Sequence, residues 1–367
     1  MELSIVLPCL NEADTLEKCI LKAKSQINKN KIKGEIIISD NGSTDGSIEI
    51  ARNNNVHIIN VKEKGYGNAV RAGISAANGE YVLVADADDS YDLNEIPRFL
   101  KKAKMGFDLI QGCRFPSGGG NIEKNAMPIS HRLFGNPFFT KISKLFYGLK
   151  YNDVYCGMKI IRKNFYNKLT FFSKGMIFCL EILIKFKVAN ARTDEIPITL
   201  YKDGRIKGSS HLKTVTDGIR TLKFILICCP KWFFFIPGSL MLLYSLLNLF
   251  ISVIANKAGI STVNILEFGT FFIIGVQIIM LGLFSTIIAE NLGVLKKNNL
   301  KGFFNIFTLK KSLLLNLIFL IVVYFLEFNG TTIYEKEIDD ILFSFSKILS
   351  ITIIFNSFFV SLLRIQD

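Results

Sequence analysis

Short apolar runs alternate with amphipathic stretches through the first part of the chain. Runs rich in β-branched residues predict strands at Leu3–Leu7, Glu35–Ser39, Val56–Val61, Tyr81–Ala85 and Asp108–Gly112. Between them, apolar residues at helical spacing predict helices at Glu12–Gln26, Asp45–Asn54, Tyr66–Ala77 and Leu93–Lys104. This alternation favours an α/β domain with a doubly wound, mostly parallel sheet. Ligands of such sheets bind beyond the carboxyl ends of the strands.

The pattern changes near Lys223, after which long apolar runs follow one another. Four of them approach the roughly 20 residues that a membrane-spanning helix needs, and they lie at 232–255, 268–290, 312–328 and 341–363. Buried helices of a soluble bundle are the alternative, but Phe268–Ile288 almost lacks the polar stripe that such helices keep.

These patterns predict a soluble domain over 1–211, an amphipathic interfacial segment over 212–231 and an α-helical transmembrane domain of four helices over 232–367. The alternative is that 212–231 forms the last helix of the soluble domain and does not lie at the membrane interface. The link between the second and third runs is basic, and the link that follows contains the acidic stretch Glu335–Asp340. Because Lys and Arg favour the cytoplasmic side, we expect an integral membrane protein with its soluble domain and both termini in the cytoplasm.

Charge and cysteine content narrow the possible partners. The formal net charge is +13, which suits nucleic acid, anionic lipid or a phosphorylated substrate. Given the apolar runs, membrane lipid and a phosphorylated substrate are favoured, and no nucleic acid is expected. Seven cysteines without CxxC spacing argue against a disulfide framework or a zinc site.

Polar clusters follow three of the predicted strands. Pro8–Glu12 follows the first and Asp40–Asp45 the second, although helix capping or a turn explains either one alone. The fourth strand is followed by four carboxylates, at Asp86, Asp88, Asp89 and Asp92. Such carboxylates repel one another unless a cation lies among them, and oxygen ligands suit Mg²⁺ or Mn²⁺. A solvated acidic loop is the alternative.

Taken together, these motifs resemble the family 2 glycosyltransferases of the Rossmann-like GT-A fold, in particular the polyprenyl-phosphate hexose synthases related to dolichyl-phosphate mannose synthase. The segments that carry the resemblance are Ile5–Glu12, Asp40–Asp45, Lys64–Ala69, Asp86–Asp88 and Asp153–Met158. The resemblance implies transfer of one hexose from a UDP- or GDP-linked sugar to a polyprenyl phosphate, such as undecaprenyl or dolichyl phosphate. It also implies inversion at the anomeric carbon and a Mg²⁺ or Mn²⁺ cofactor.

The resemblance further implies roles for residues on the donor side. Pro8, Asn11, Glu12 and Asp40 are expected to line the nucleotide pocket. Asp86 and Asp88 are expected to flank the diphosphate and its metal, with Asp88 the direct ligand. Many relatives carry Gln two residues after this motif, where this chain has Ser90. Asp89 or Asp92 is therefore a candidate for the third ligand.

On the acceptor side, Arg114 and Arg132 are expected to hold the lipid phosphate, since the guanidinium fork bonds two oxygens at once. Arg205, His211 and Lys213 are further candidates for binding the substrates, with general headgroup binding as the alternative. Asp153 stands where the family has its catalytic aspartate. Because the second pKa of a phosphate monoester is about 6, we expect Asp153 to position a substrate, with proton removal as the lesser alternative.

Two other functions remain as rivals. A processive polysaccharide synthase has a similar domain and spans, but carries a Gln-x-x-Arg-Trp motif. The single tryptophan here, Trp232, follows Cys229-Pro230-Lys231 instead. A non-catalytic lipid carrier or scaffold would not need all the acidic and basic site residues named above. The sequence leaves the oligomeric state open.

Overall fold

The structure is a computed structural model that describes residues 1–206, 214–255, 261–297, 309–326 and 333–364. Two units are distinguished within it. The first comprises Met1–Phe224 with Leu292–Val294, and the second comprises Ile225–Asn291 with Leu295–Asp367. Of the expected substrate-binding residues, His211 and Lys213 lie outside the described residues.

A seven-stranded sheet forms the centre of the first unit. Its strands are β1 (Leu3–Cys9), β2 (Gly34–Asp40), β3 (His57–Asn60), β4 (Tyr81–Val84), β5 (Leu109–Cys113), β7 (Lys159–Arg162) and β8 (Thr193–Pro197). Their order is β3-β2-β1-β4-β7-β5-β8, and only β7 runs antiparallel to its neighbours. Two short strands, β6 (Asn121–Ile122) and β9 (Thr199–Leu200), pair separately. The prediction of a mostly parallel α/β sheet is confirmed.

Four helices lie where the apolar spacing predicts them, and they are α1 (Leu16–Lys29), α2 (Ser47–Asn53), α3 (Tyr66–Ala76) and α4 (Ile96–Ala103). Three helices that the spacing did not predict follow, namely α5 (Asn136–Tyr147), α6 (Lys163–Tyr166) and α7 (Ile177–Val188). Helix α8 (Thr214–Cys228) falls on the predicted interfacial segment. Helix α1 buries Leu16, Cys19, Ile20 and Ala23, an i, i+3, i+4, i+7 stripe against the core. It begins four residues later than predicted, because Asn11 has a left-handed backbone (φ 55°) and the chain turns before Leu16.

The antiparallel strand β7 matters most for the site. Because it runs against β4 and β5, its first residue lies at the edge where those two strands end. The residues that precede it, 153–158, are therefore brought to the ligand-binding edge of the sheet.

Long apolar helices make up the second unit. They are α9 (Ile236–Ala255), α10 (Thr262–Asn291), α11 (Leu309–Leu326) and α12 (Ile333–Arg364). Glycines let α9 and α10 approach closely, since a Cβ on Gly238 would lie 2.7 Å from a side-chain carbon of Ile279.

Three stretches of these helices are long and apolar enough to cross a membrane, Lys231–Ser252, Thr262–Asn291 and Asp340–Ser361. Four were predicted. The remaining run, 312–328, falls on α11, which is not among the candidates within the described residues, and its last two residues lie outside them. The orientation of the spans stays a prediction.

Candidate active site

The loops that follow β1 and β2 are locked together at one edge of the sheet. The Asp40 carboxylate accepts the N–H groups of Gly42 (2.9 Å) and Ser43 (3.2 Å). Asn11 Oδ1 accepts the N–H of Thr44 at 2.8 Å. Three of the expected nucleotide-pocket residues thus lie at this edge, with Pro8 and Asp40 at the ends of β1 and β2 and Asn11 on the loop after β1.

Glu12 has a different environment from the one expected. Its carboxylate accepts two hydrogen bonds from the guanidinium of Arg205, from Nε at 2.8 Å and from Nη2 at 2.5 Å. The remaining Arg205 nitrogen, Nη1, lies 3.5 Å from Asp88 Oδ2. The structure therefore makes Glu12 the partner that holds Arg205 beside Asp88.

The carboxylates of Asp86 and Asp88 follow β4. Asp86 Oδ1 is buried and has no donor at good hydrogen-bond geometry among the described residues, although the Tyr66 hydroxyl lies close enough to the carboxylate to favour its ionised form. Desolvation and the charge of Asp88 raise the pKa of Asp86 to about 6. Asp88 Oδ1 accepts the N–H (3.1 Å) and the hydroxyl (2.6 Å) of Ser90. Close packing fixes Asp86 further, because a Cβ on Gly157 would lie 2.5 Å from its Oδ2.

This arrangement suits a divalent cation that is completed by its substrate. Within the described ranges no group of three or more His, Cys, Asp or Glu side chains is placed to hold a metal. Mg²⁺ and Mn²⁺, however, bind with one or two carboxylates when substrate phosphates supply further ligands. A bound cation would give the buried Asp86 oxygen a partner and would lower the raised pKa of Asp86. Asp86 and Asp88 therefore fit such an ion.

Asp89 and Asp92, the candidates for a third ligand, are occupied elsewhere. Asp89 has a left-handed backbone (φ 59°), and its carboxylate contacts Lys18 (2.5 Å) and Lys22 (2.6 Å) on α1. Asp92 caps the helical turn after it by accepting the N–H of Asn94 at 3.0 Å. The structure does not bring either carboxylate together with Asp86 and Asp88.

A buried ion pair joins the end of β5 to the segment before β7. Arg114 Nε lies 2.7 Å from Asp153 Oδ2, and Arg114 Nη2 lies 2.9 Å from Asp153 Oδ1. Although burial favours the neutral form of an arginine, the Asp153 charge raises the pKa of Arg114 well above its usual value. The Asp153 side chain has no exposed surface, whereas 10% of the Arg114 side chain stays accessible.

Asp153 has little remaining capacity to act on a substrate. Besides the two guanidinium bonds, its oxygens accept the backbone N–H groups of Arg114 (3.1 Å) and Tyr155 (3.2 Å). These four donors occupy both oxygens, so few lone pairs of Asp153 remain for contact with a substrate. Arg114 Nη1, in contrast, makes no hydrogen bond to a described residue. Asp153 thus orients Arg114 and leaves that nitrogen for a ligand.

The second expected acceptor arginine stands apart from this pair. The side chain of Arg132 is exposed and makes no hydrogen bond or ion pair with a described residue, while its backbone N–H donates to the carbonyl of Pro128 at 2.9 Å. It lies in a π-helical turn, His131–Gly135, that leads into α5. Burial and the charge of Arg114 lower the pKa of the neighbouring His131.

Two residues at the site were missed by the sequence reasoning. The Tyr91 hydroxyl accepts the N–H of Gly157 at 2.8 Å. Lys159 is buried and donates to the carbonyls of Cys156 (2.7 Å) and Gly157 (3.0 Å). The sequence feature that could have identified Lys159 is its position directly before the apolar pair Ile160-Ile161. Both residues fix the segment that lies between Arg114 and Asp86.

Comparisons with known proteins identify the family of this chain. Residues 4–170 match the family described as Glycosyl transferase family 2. The chain is 30% identical over 292 residues to the low-salt glycan biosynthesis hexosyltransferase Agl6 of Haloferax volcanii, covering 78% of this chain and 69% of that protein. It is 27% identical over 197 residues to a dolichyl-phosphate hexose transferase of the same organism, covering 54% of this chain and 82% of that protein.

A solved mycobacterial protein has a similar fold. It superposes with a TM-score of 0.51 at 16% identity, over 62% of this chain and 74% of that one. The sequence match to Agl6 and the match of residues 4–170 establish the family. The chain is a member of glycosyltransferase family 2.

Proposed function

We propose that this glycosyltransferase moves a single hexose from a UDP- or GDP-linked sugar to a polyprenyl phosphate, with inversion at the anomeric carbon. One observation carries the proposal. The short segment Asp153–Gly157 touches a cation-binding pair at one end and an anion-binding arginine at the other, through Gly157 on Asp86 and Asp153 on Arg114. A donor diphosphate with its metal and an acceptor phosphate need two such sites side by side.

The activities named for two relatives support the same substrates. One is a hexosyltransferase and one a dolichyl-phosphate hexose transferase. The exposed surface beside Arg132 supports a lipid acceptor, because it carries the apolar side chains Ile129, Leu133 and Phe134. An acceptor with a phosphate head and an apolar tail matches a basic group flanked by apolar ones.

The reaction that this site favours is a direct displacement. An oxygen of the acceptor phosphate forms a bond to the anomeric carbon while the bond from that carbon to the donor diphosphate breaks, and the nucleoside diphosphate leaves with the electron pair. When bound, a divalent Mg²⁺ or Mn²⁺ supplies charge neutralisation at the leaving diphosphate.

The residues of the chain have separate tasks in that step. Asp86 and Asp88 would hold the cation, and Arg205 would offer its guanidinium to the leaving diphosphate. Arg114 orients the acceptor phosphate through Nη1, with Arg132 as a second contact. No protein base is required, because the acceptor phosphate is already largely ionised at neutral pH.

The deciding experiment supplies labelled UDP- and GDP-sugars together with undecaprenyl or dolichyl phosphate to the purified full chain. We expect one sugar per lipid, and near-complete loss with Asp88→Asn or with excess EDTA. Asp92→Asn is the matched control, since it removes a carboxylate of the same cluster but keeps a good helix cap.

Each outcome discriminates between the candidate functions. A polymer on the lipid would establish the processive synthase instead. Hydrolysis of the donor with no transfer to any polyprenyl phosphate would overturn the proposed acceptor. Full activity of Asp88→Asn in EDTA would overturn the metal site.

A further inference from the structure

Two polar side chains on neighbouring strands face the segment that contains Asp153. Gln111 on β5 and Glu195 on β8 are direct partners in the register of the two strands, so their side chains lie on the same face of the sheet. Gln111 is fully buried, and Glu195 is half-buried. Neither side chain contacts Asp86 or Asp88.

Both side chains bond the backbone of the same short segment. Glu195 Oε1 accepts the N–H groups of Asn152 (2.6 Å) and Asp153 (3.2 Å), and its Oε2 accepts Asn152 Nδ2 at 2.9 Å. Gln111 Nε2 donates to the carbonyls of Asp153 (3.2 Å) and Cys156 (3.0 Å). The two side chains therefore hold Asp153 from both of its peptide groups.

Lys102 of α4 holds the backbone of Glu195 and also pairs with Asp194, the residue before Glu195 on β8. Lys102 Nζ donates to the backbone carbonyl of Glu195 at 2.8 Å. The adjacent Asp194 carboxylate pairs with Lys102 at 2.6 Å and points to solvent, with 46% of its side chain exposed. Burial raises the pKa of Glu195, although the Asn152 and Asp153 donors act against that rise. Burying this acid costs free energy, and the charge-assisted hydrogen bonds to Asn152 and Asp153 offset that cost.

We infer that Glu195, together with Gln111, is a positioning residue for the acceptor phosphate. It acts through Asp153, which in turn orients Arg114, and it touches neither substrate. The inference rests on the proposed function in one respect, namely that Arg114 binds the acceptor. It assigns a role to β8, a strand that contributes no group to the reaction itself.

The test compares Glu195→Ala, Glu195→Gln, Arg114→Ala and the double variant Glu195→Ala/Arg114→Ala. Initial rates are measured against donor and acceptor separately, with a short-chain soluble polyprenyl phosphate in detergent. Asp194→Asn is the matched control, because it removes the neighbouring carboxylate without touching Asn152 or Asp153. Melting temperatures of all variants report folding.

We expect Glu195→Ala to weaken acceptor use by roughly tenfold, the order of one charge-assisted hydrogen bond. The KM for the nucleotide-sugar should stay unchanged. Glu195→Gln should recover much of the loss, since its one oxygen can still accept both backbone N–H groups. On the Arg114→Ala background, Glu195→Ala should cost nothing further, because the residue that it positions is gone.

Three results would overturn either the positioning role of Glu195 or the proposed acceptor site, and the kinetics distinguish them. Equal losses toward donor and acceptor, or full additivity with Arg114→Ala, would leave Glu195 with a merely structural role while the proposed function stands. Should Glu195→Ala fail to fold, the same comparison is made with Glu195→Gln, for which an acceptor defect larger than that of Asp194→Asn is required. Normal acceptor kinetics for Arg114→Ala would instead remove the proposed acceptor site, and the positioning role with it.

Discussion

Replacing Asp153 by Asn tests whether this residue orients Arg114 or removes a proton. The carboxylate accepts four N–H donors, two of them from the guanidinium of Arg114. An Asn side chain has a single acceptor oxygen. In either orientation of its amide, one guanidinium N–H and one backbone N–H face the Nδ2 group and lose their acceptor.

The expected cost follows from these lost bonds. A charge-assisted bond contributes about 1.5–3 kcal/mol and a neutral one about 0.5–1.5 kcal/mol. Breaking a buried ion pair on one side costs about 3–5 kcal/mol, in the same range. At about 2–4 °C per kcal/mol for a domain of this size, the melting temperature of Asp153→Asn should fall by about 10 °C. Asp194→Asn, which removes an exposed salt bridge, should change it by no more than about 2 °C.

The pH profile of the remaining activity separates the two roles. If Asp153 orients Arg114, the variant has a raised acceptor KM and the same acid limb as the wild type, because that limb belongs to the acceptor phosphate with its pKa of about 6. The assay is the initial rate between pH 5 and pH 9 at saturating donor (roughly the range over which that phosphate titrates). The opposite result is a normal acceptor KM, a lowered kcat and an activity that no longer falls at acidic pH. That result would show that Asp153 is the base and would refute its role in orienting Arg114.

Four other changes have defined outcomes. Arg114→Lys keeps the charge without the fork, so it should recover only part of the acceptor use lost in Arg114→Ala; equal kinetics of the two would contradict this. Asp86 has a pKa of about 6 in the fold against 3.8 as its ordinary value, so its ionisation destabilises the metal-free protein as pH rises. In EDTA, Asp86→Asn should therefore be more stable than wild type by a margin that grows from pH 4 to about pH 6 and then stays constant, measured by thermal unfolding; a margin independent of pH would count against it. Gly157→Ala, with its Cβ against Asp86, should lose activity, whereas Gly175→Ala, with open space, should not. Lys297→Cys should resist impermeant thiol reagents applied to intact cells, and efficient labelling would reverse the orientation of the spans.

Hydrophobic periodicity was enough for most of the sheet. The β-branched runs and the helical spacing between them located β1 to β5 and α1 to α4 within a few residues. Strand β7 was missed because four residues with a leading lysine give too short a pattern, and its hydrogen-bond partners are 50 to 80 positions away in the chain. Its antiparallel direction depends on tertiary pairing, which no local pattern encodes.

The side-chain partners at the site were less accessible to sequence reasoning. Nothing local indicates that Asp89 takes a left-handed backbone that carries it to lysines of α1, or that Glu12 meets Arg205 across 193 positions of sequence. The same holds for Glu195 beneath Asp153. Such pairings follow from how the loops cross at the sheet edge, and a motif names residue types without naming which ones meet.

The antiparallel entry of β7 also has a consequence for how this enzyme can diverge. One five-residue segment, Asp153–Gly157, touches the residues proposed for the acceptor at one end and those proposed for the donor at the other. Its contour length therefore sets the gap between nucleophile and electrophile, and each inserted residue would add up to about 3.5 Å of chain. We expect insertions and deletions among relatives to accumulate in other loops and to be rare in this segment, because its length sets the distance between the two reacting groups.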